Sequence, residues 1–297
     1  MVSVKTQKSR KRIFTDDNIF DAINRILIIF FSFLVVYPLM YVIFASVSSG
    51  VAVEGGLVTF FPVQPTLAAY RQIFEDSIFW RSYANQIYLT TVGSTFSIII
   101  SLMGAYALSK KYMPGVRFFT LMLVFTMWFS AGMIPTYLNL QSLNLLNYAG
   151  LIFGFGLGAF AVIILRSAFI SLPSELQEAA KIDGANEFQN FIFVAIPCIK
   201  PSIATVWLLY GISRWNGWFW AMIIVRVEEW IPLQVYLRTM IVIRQHILEG
   251  GDFFLAEHSP VTLIYAIIVS SIIPIFIVFP FMQKVFTRGI MEGGLKG

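Results

Sequence analysis

Acidic and small residues alternate in one polar segment of an otherwise apolar sequence, between Ser174 and Phe188. The acids are Glu175, Glu178, Asp183 and Glu187, and the alanines among them are Ala179, Ala180 and Ala185. Acids can pair with basic groups of a partner, and small side chains allow another backbone to approach closely. The segment therefore predicts a docking element in water. The alternative is a loop that only packs on its own helix ends.

The sequence contains no recognisable catalytic or metal-binding pattern. The segment from Gly104 to Lys111 resembles a phosphate loop, but Ser109 replaces the second glycine and Lys111 replaces the hydroxyl residue. The single cysteine, Cys198, excludes an internal disulfide, and two histidines give no zinc-type spacing. We therefore expect no catalytic residue, no bound cofactor and no metal site, and we interpret the chain as a non-enzyme.

The elements that position these residues are predicted to be membrane helices. The chain is 58% hydrophobic and only 12% charged, and its mean hydropathy is +0.76. Such values are typical of an all-α polytopic membrane protein, and barrel strands would need alternating polarity. The net charge of +5 does not indicate nucleic-acid binding, because the basic residues follow membrane sidedness. The basic start lacks the features of a secretory signal.

Six stretches are long and apolar enough to cross a bilayer as helices. They are residues 26–48, 86–108, 118–138, 149–170, 202–225 and 260–282. The predicted organisation is a basic cytoplasmic segment over residues 1–25, a six-helix membrane domain over residues 26–283, and a cytoplasmic tail over residues 284–297.

Basic residues predict the orientation of these spans. They precede the first span, follow the last, and lie between the second and third spans at Lys110, Lys111 and Arg117. The polar loop contributes Lys181 and Lys200. Positive residues concentrate on the cytoplasmic side of membrane proteins, so both termini and the polar loop are expected in the cytoplasm.

Local signals predict a helix-turn-helix in the polar loop. Ser174 and Gln177 fit a capping box, and a helix is expected to run from there to about Ile182. Gly184 can take the left-handed conformation that ends a helix, and a second helix is predicted over residues 185–195, before Pro197.

The run from Glu178 to Ala185, with Phe188, Phe191, Pro197 and Pro201 following, closely resembles the EAA loop of permease subunits in binding-protein-dependent ABC importers. Similarity to carbohydrate permeases of the MalG and LplC kind extends over nearly the whole chain. The other matching positions are Phe61-Pro62 to Thr66, Tyr70, Phe74, Met133 to Tyr137, Trp215-Asn216, Gln283, Arg288-Gly289, Gly293 and Lys296-Gly297.

This resemblance implies a type I importer permease fold and an EAA loop, about residues 172–201, that acts as a coupling helix on a separate ATPase subunit. The implied coupling residues are Glu178, Ala179, Ala180, Asp183, Gly184, Ala185 and Pro197. ATP and Mg would be bound by the partner ATPase. Further implied partners are a second permease, a second ATPase copy, an extracytoplasmic solute-binding protein and a carbohydrate, in a bacterial cell membrane.

Polar and aromatic residues of the fifth predicted span are candidates for the substrate pathway. A charge such as Arg214 within a span normally faces protein or a water-filled cavity. Trp207, Tyr210 and Arg214 share a helical face that Trp218 extends, and Asn216 lies beside them. Flat rings beside such donors suit sugars. The alternative is that the tryptophans pack on neighbouring helices or anchor at the outer interface.

The segment over residues 232–259 resembles the outer loop that reaches towards the binding protein, with Arg238, Arg244 and His246 as candidate contacts. The leading hypothesis is an importer permease for oligosaccharides or polysaccharide fragments, acidic or neutral. The alternatives are an importer permease for a non-sugar solute, a secondary transporter driven by an ion gradient, and a membrane enzyme acting on lipid-linked sugars. No acid lies mid-span and no catalytic cluster is visible, which disfavours the last two.

Overall fold

The computed structural model describes residues 16–250 and 260–294, with side chains for residues 20–242 and 260–280. All regular elements in these two ranges are helical, which confirms the predicted class. The α-helices are α1 (Asp16–Ser46), α2 (Gly50–Glu54), α3 (Ala68–Glu75), α4 (Ser77–Ser109), α5 (Val116–Trp128), α6 (Met133–Ser142), α7 (Tyr148–Phe153), α8 (Ala159–Ile170), α9 (Ser174–Ile182), α10 (Glu187–Gln189), α11 (Ile196–Cys198), α12 (Lys200–Asn216), α13 (Phe219–Ile224), α14 (Leu233–Gly250) and α15 (Pro260–Gly294). A π-helical turn covers Asn190–Ala195, and a 3₁₀ turn covers Glu228–Trp230.

Three of the predicted spans are continuous helices. In the part of the chain that the structure describes, Phe20–Ser46, Ser77–Ser109 and Pro260–Pro280 are each long and apolar enough to cross a membrane. They contain 27, 33 and 21 residues, more than the roughly 20 that a bilayer requires. The most apolar stretch of the helix Phe20–Ser46 is not buried against the rest of the protein at all, which suits contact with lipid.

The other three predicted spans are interrupted. A break at residues 129–132 separates α5 from α6, residues 154–158 separate α7 from α8, and Gly217 ends α12 before α13 begins. Glycines at 132, 154, 156, 158 and 217 lie in these breaks, where the absence of a side chain favours departure from the helix. Two helix pairs are sharply bent, α8 with α9 by 72° and the segment Glu187–Cys198 with α12 by 84°. Counting each bent pair as one span gives up to five.

The described residues form two compact units, each drawn from two ranges of the chain. The first contains residues 1–69 and 256–266, where Ala45, Ala52 and Val261 belong to one buried apolar cluster and Tyr41 meets Tyr265 edge to face at 5.9 Å. The second contains residues 70–255 and 267–297.

In the second unit, α4 packs against α8 and α12 and forms the centre of the core. A row of small buried residues on α4 makes this packing close. It consists of Gly93, Ser94, Ser97, Ser101 and Ala105. Small residues let membrane helices approach each other, because lipid provides no hydrophobic force between them.

Candidate functional site

The polar loop begins with α9, which ends at Ile182 and is followed by a turn at Gly184, as predicted. Gly184 has φ +85°, and its amide donates to the carbonyl of Lys181 at 3.0 Å. The amide of Ala185 donates to the carbonyl of Ala180 at 2.9 Å. This pair of bonds is a Schellman motif, which satisfies carbonyls that the end of a helix leaves free. The motif fixes the direction in which the chain leaves α9.

The predicted capping box at Ser174 and Gln177 is wrong. Pro173 occupies the N-cap of α9 without a side-chain bond, and the Gln177 side chain instead accepts from Lys110 Nζ. The box occurs twelve residues later, where the Asn186 amide donates to Gln189 Oε1 and the Gln189 amide donates to Asn186 Oδ1, both at 2.9 Å. It begins the second helical segment directly after the Gly184 turn.

The second helical segment differs from the predicted helix over residues 185–195. It contains α10, then a π-helical turn, then α11, so Pro197 lies within helical structure and does not end it. Pro197 is the second residue of α11, which follows the π-helical turn without a break.

Glu187 joins the polar loop to the end of α4. Its carboxylate lies 2.8 Å from Lys181 Nζ and 3.5 Å from Lys110 Nζ, and it accepts from the Tyr106 hydroxyl at 3.0 Å. The hydrogen bond from Lys181 is the main cause that lowers the pKa of Glu187 to about 2, so the group is a carboxylate at cellular pH. The sequence identified Glu187 as an acid of the loop but did not assign it this role, because two of its partners, Lys110 and Tyr106, come from the end of a distant helix.

The residues predicted for coupling lie at the surface of the loop. Glu178, Ala179, Asp183, Gly184 and Pro197 are exposed, and Ala180 and Ala185 are half-buried. The same segment also exposes apolar side chains, of which Leu176 and Ile182 are recognisable in the sequence as an apolar surface beside the acids. These are Ile182, 87% exposed, together with Leu176, Phe188 and Phe193. Large apolar groups exposed beside acids are typical of a protein-binding surface.

A cavity of about 530 Å³ lies beside the break between α12 and α13. Its walls include Tyr210, Ser213, Arg214, Asn216 and Trp218, with the paired rings of Phe155 and Trp220, whose centroids are 5.2 Å apart. Four of the five residues predicted for the substrate pathway therefore line one cavity. Gly217 lets the chain leave α12 there, so Trp218 reaches the cavity from outside that helix.

Trp207 is the exception. Its indole Nε1 donates to Thr95 Oγ1 at 3.3 Å, and the ring lines a separate apolar crevice with Trp215 and Pro274. Trp207, Tyr210 and Arg214 do share one face of α12, and each binds a residue of α4, but Trp207 does not line the cavity. Side chains of one helical face point in different directions according to the neighbours that they contact, and Trp207 packs against the α4 side of the core.

The guanidinium of Arg214 binds protein groups on two other elements. Its Nη1 donates to the carbonyl of Leu151 at 2.7 Å, and its Nη2 donates to Ser97 Oγ at 2.8 Å. Longer bonds from Nη2 reach the carbonyls of Ile152 and Phe155. These carbonyls belong to the end of α7 and the glycine-rich break after it, where no helical partner is present. Arg214 thus stabilises the broken segment that forms one wall of the cavity.

Gly93 leaves room for the side chain of Arg214. A larger residue at position 93 is therefore expected to disturb that side chain. A Cβ at position 93 would lie 2.7 Å from Arg214 Nη1, so Gly93→Ala displaces a guanidinium that is held by four acceptors. We expect transport to fall at least tenfold in the assembled transporter, because a small displacement next to a binding site has large effects. The fall is measured as the rate of sugar uptake by membrane vesicles, divided by the amount of assembled transporter that they contain.

Gly104→Ala is the matched control, because it lies on the same helix and its Cβ would meet nothing within 4 Å. Alanine is favoured over glycine in a helix by about 1 kcal/mol, so this variant should be at least as stable as the native chain. Equal transport by the two variants would contradict the role of Gly93.

The candidate contacts for the binding protein are described only in part. Arg238 lies on α14, and its guanidinium carbon is 5.3 Å from the centroid of the Trp218 ring. The backbone of α14 includes Arg244 and His246, but their side chains lie outside the described residues. The same is true of the side chains of the C-terminal tail. Much of the predicted outer loop at residues 232–259 is thus a helix, since α14 ends at Gly250.

The fold and these sites define a polytopic helical membrane protein with an exposed polar loop and an aromatic-lined cavity. Comparisons with known proteins give its family. The chain is 34% identical over 285 residues to the polygalacturonan/rhamnogalacturonan transport system permease protein YtcP of Bacillus subtilis, covering 95% of this chain and 99% of that protein. It is 30% identical to the arabinooligosaccharides transport system permease protein AraQ of Halalkalibacterium halodurans, covering 90% and 94%. No family model matches the sequence.

A solved structure supports the same family. One chain of a crystal structure of a bacterial ABC transporter involved in the import of the acidic polysaccharide alginate is 43% identical, covers 92% of this chain and 99% of its own, and superposes with a TM-score of 0.84. The protein belongs to the permease subunits of carbohydrate ABC importers. It is accordingly a transport component of such a system and not a catalyst.

Proposed function

We propose that this permease forms half of the translocation pathway of an ATP-driven importer for fragments of acidic polysaccharides. The polar loop carries the proposal, because it presents Glu178 and exposed apolar residues on a helix whose end is fixed by the Gly184 turn. In this proposal the loop is a coupling helix in a cleft of a separate ATPase subunit, which binds ATP and Mg. The other partners are a second permease, a second ATPase copy and an extracytoplasmic binding protein.

The proposed orientation places the loop and both termini in the cytoplasm of a bacterial cell, with six spans crossing its membrane. Contacts of the loop support this sidedness. Lys110 from the end of α4 and Lys181 from α9 both approach Glu187, so two basic segments of separate spans lie at the same end of the helices. Shared positive charge at one end is typical of the cytoplasmic side.

The proposed cargo rests on the cavity and on the relatives. Tyr210, Ser213, Asn216 and Trp218 supply rings and hydrogen-bonding groups that suit a sugar, while the guanidinium of Arg214 is held by the protein. Arg238 lies over the Trp218 ring and brings a positive charge beside the cavity. YtcP is named for polygalacturonan and rhamnogalacturonan, and the 43% identical structure is described for alginate, which favours uronate-containing fragments over neutral ones.

Reconstitution tests this function. The chain, its second permease, the ATPases and the binding protein are assembled in proteoliposomes, and uptake of oligogalacturonate, oligoalginate and arabino-oligosaccharide is measured with and without ATP. We expect ATP-dependent uptake of an acidic oligosaccharide that also requires the binding protein. Uptake by this chain alone that is abolished by ionophores would instead show a secondary transporter. Preference for the neutral oligosaccharide would contradict the proposed cargo and leave the importer function intact.

A further inference from the structure

A second cavity, of about 500 Å³, lies between the end of α4, the start of α5, the end of α8 and the first two turns of α9. Residues 174, 177, 178 and 181 of α9 line it, which is one face of that helix. Four cationic side chains also line it, namely Lys110, Lys111, Arg166 and Lys181. The cavity is therefore basic. It is separate from the aromatic cavity beside α12.

The charges in the cavity do not cancel. Glu178 lines it, and Glu187 pairs with Lys110 and Lys181 from outside its wall. Within the residues whose side chains are described, neither Lys111 nor Arg166 has a carboxylate within salt-bridge distance. Arg166 Nε donates to the carbonyl of Leu108 at 2.8 Å, which fixes the direction of its guanidinium. Lys111 and Arg166 are therefore available to bind an anion in the cavity.

The position of the cavity identifies the kind of anion. Three apolar helices end at its edge, because α4 ends at Ser109, α5 begins at Val116 and α8 ends at Ile170. In the proposed orientation across the membrane, this is the level of the lipid headgroups. Val116, Phe169, Ile170 and Leu172 give the cavity an apolar wall as well. Beyond it, α5 exposes Phe118, Leu121 and Phe125 along its length, a surface that acyl chains can contact.

We propose that this cavity binds the phosphate headgroup of an anionic phospholipid from the surrounding membrane. Lys111 and Arg166 neutralise the phosphate, and basic pockets between membrane helices on the cytoplasmic side are known to take such headgroups. The lipid would contact α8, α4 and α9 together and so stabilise the base of the polar loop. A free phosphate compound shares the same charge and donor requirements, and the test distinguishes the two sources.

The test uses the assembled transporter in nanodiscs of phosphatidylcholine mixed with phosphatidylglycerol. Retained phosphatidylglycerol is counted by native mass spectrometry for the native complex and for the double variant Lys111→Gln/Arg166→Gln. At about 1 kcal/mol for each cation near a membrane surface, affinity for phosphatidylglycerol is expected to fall about thirtyfold. The matched control is Arg117→Gln/Lys200→Gln, which removes two exposed cations that do not line the cavity. It should retain the lipid.

Charge-preserving exchange, Lys111→Arg/Arg166→Lys, should retain most of the lipid, which separates a loss of charge from a loss of fold. Inorganic phosphate or glycerol phosphate, added at millimolar concentration, should not displace the lipid, because neither has acyl chains for the apolar wall. Equal retention by the native complex and the Gln double variant would overturn the proposal. Displacement by a free phosphate compound would overturn the lipid as the occupant.

Discussion

Replacing Arg214 by methionine is expected to destabilise the permease by about 3 kcal/mol or more. A single hydrogen bond to a charged group contributes about 1.5–3 kcal/mol, and Arg214 donates to Ser97 and to the carbonyls of Leu151, Ile152 and Phe155. Methionine fills a similar volume but leaves these carbonyls without a donor. Because they lie at the end of a broken helix, α7 and the following glycine-rich segment should lose their fixed position.

Thermal unfolding of the purified transporter in one detergent measures this effect. Arg226→Met is the control, since Arg226 is exposed and donates a single bond to the Tyr137 hydroxyl. Its effect should stay within about 0.5 kcal/mol, as for most surface changes. Normal stability of Arg214→Met together with complete loss of sugar transport would mean that Arg214 acts on the substrate and not on the wall of the cavity.

Charge reversal at Glu178 is expected to weaken docking of the proposed ATPase subunits on the polar loop, and so to lower transport and substrate-stimulated ATP hydrolysis together. Glu178→Lys places a cation where the partner should present basic groups, and like charges brought together at an interface cost several kcal/mol. We expect binding of the ATPase subunits to weaken at least thirtyfold and transport to fall in proportion. Copurification of the ATPase and substrate-stimulated hydrolysis in proteoliposomes are the two measurements.

Glu175→Lys is the matched control for Glu178. Both acids are exposed on α9, but Glu175 lies in its first turn and outside the matched EAA residues. Reversal there should change ATPase binding by a few fold at most, since exposed charges at the rim of an interface contribute little. Normal transport and hydrolysis by Glu178→Lys would contradict the assigned role of Glu178.

Periodic and local signals in the sequence predicted the parts of the fold that depend on few neighbours. Apolar runs of sufficient length gave α1, α4 and α15, because the bilayer sets the length of a spanning helix. The turn at Gly184 followed from a glycine after a helical pattern, and it forms by local backbone bonds alone.

Features that depend on distant partners could not be predicted in the same way. The breaks in the span of α7 and α8 persist because Arg214 and Tyr210 supply donors and acceptors to the glycine-rich segment, and the Tyr210 hydroxyl accepts from the Gly158 amide at 2.9 Å. The capping box was misplaced for a similar reason, since Lys110 from another helix binds Gln177. Trp207 lies outside the cavity because its indole binds Thr95 and its ring lines a separate crevice with Pro274.

The helix α4 connects the polar loop, at Glu187, with Arg214 of α12. Tyr106, which donates to Glu187, lies near one end of α4, while Ser97 and Gln86 of the same helix bind the side chain and the backbone of Arg214. The helix α4 is unbroken over 33 residues and is about 50 Å long. A displacement of one end along its axis therefore moves the other end by nearly the same amount. The direct route along the chain from α9 passes through the 72° bend to α8, which can absorb movement. A displacement of the polar loop along this axis would therefore reach the cavity at the end of α12 through α4.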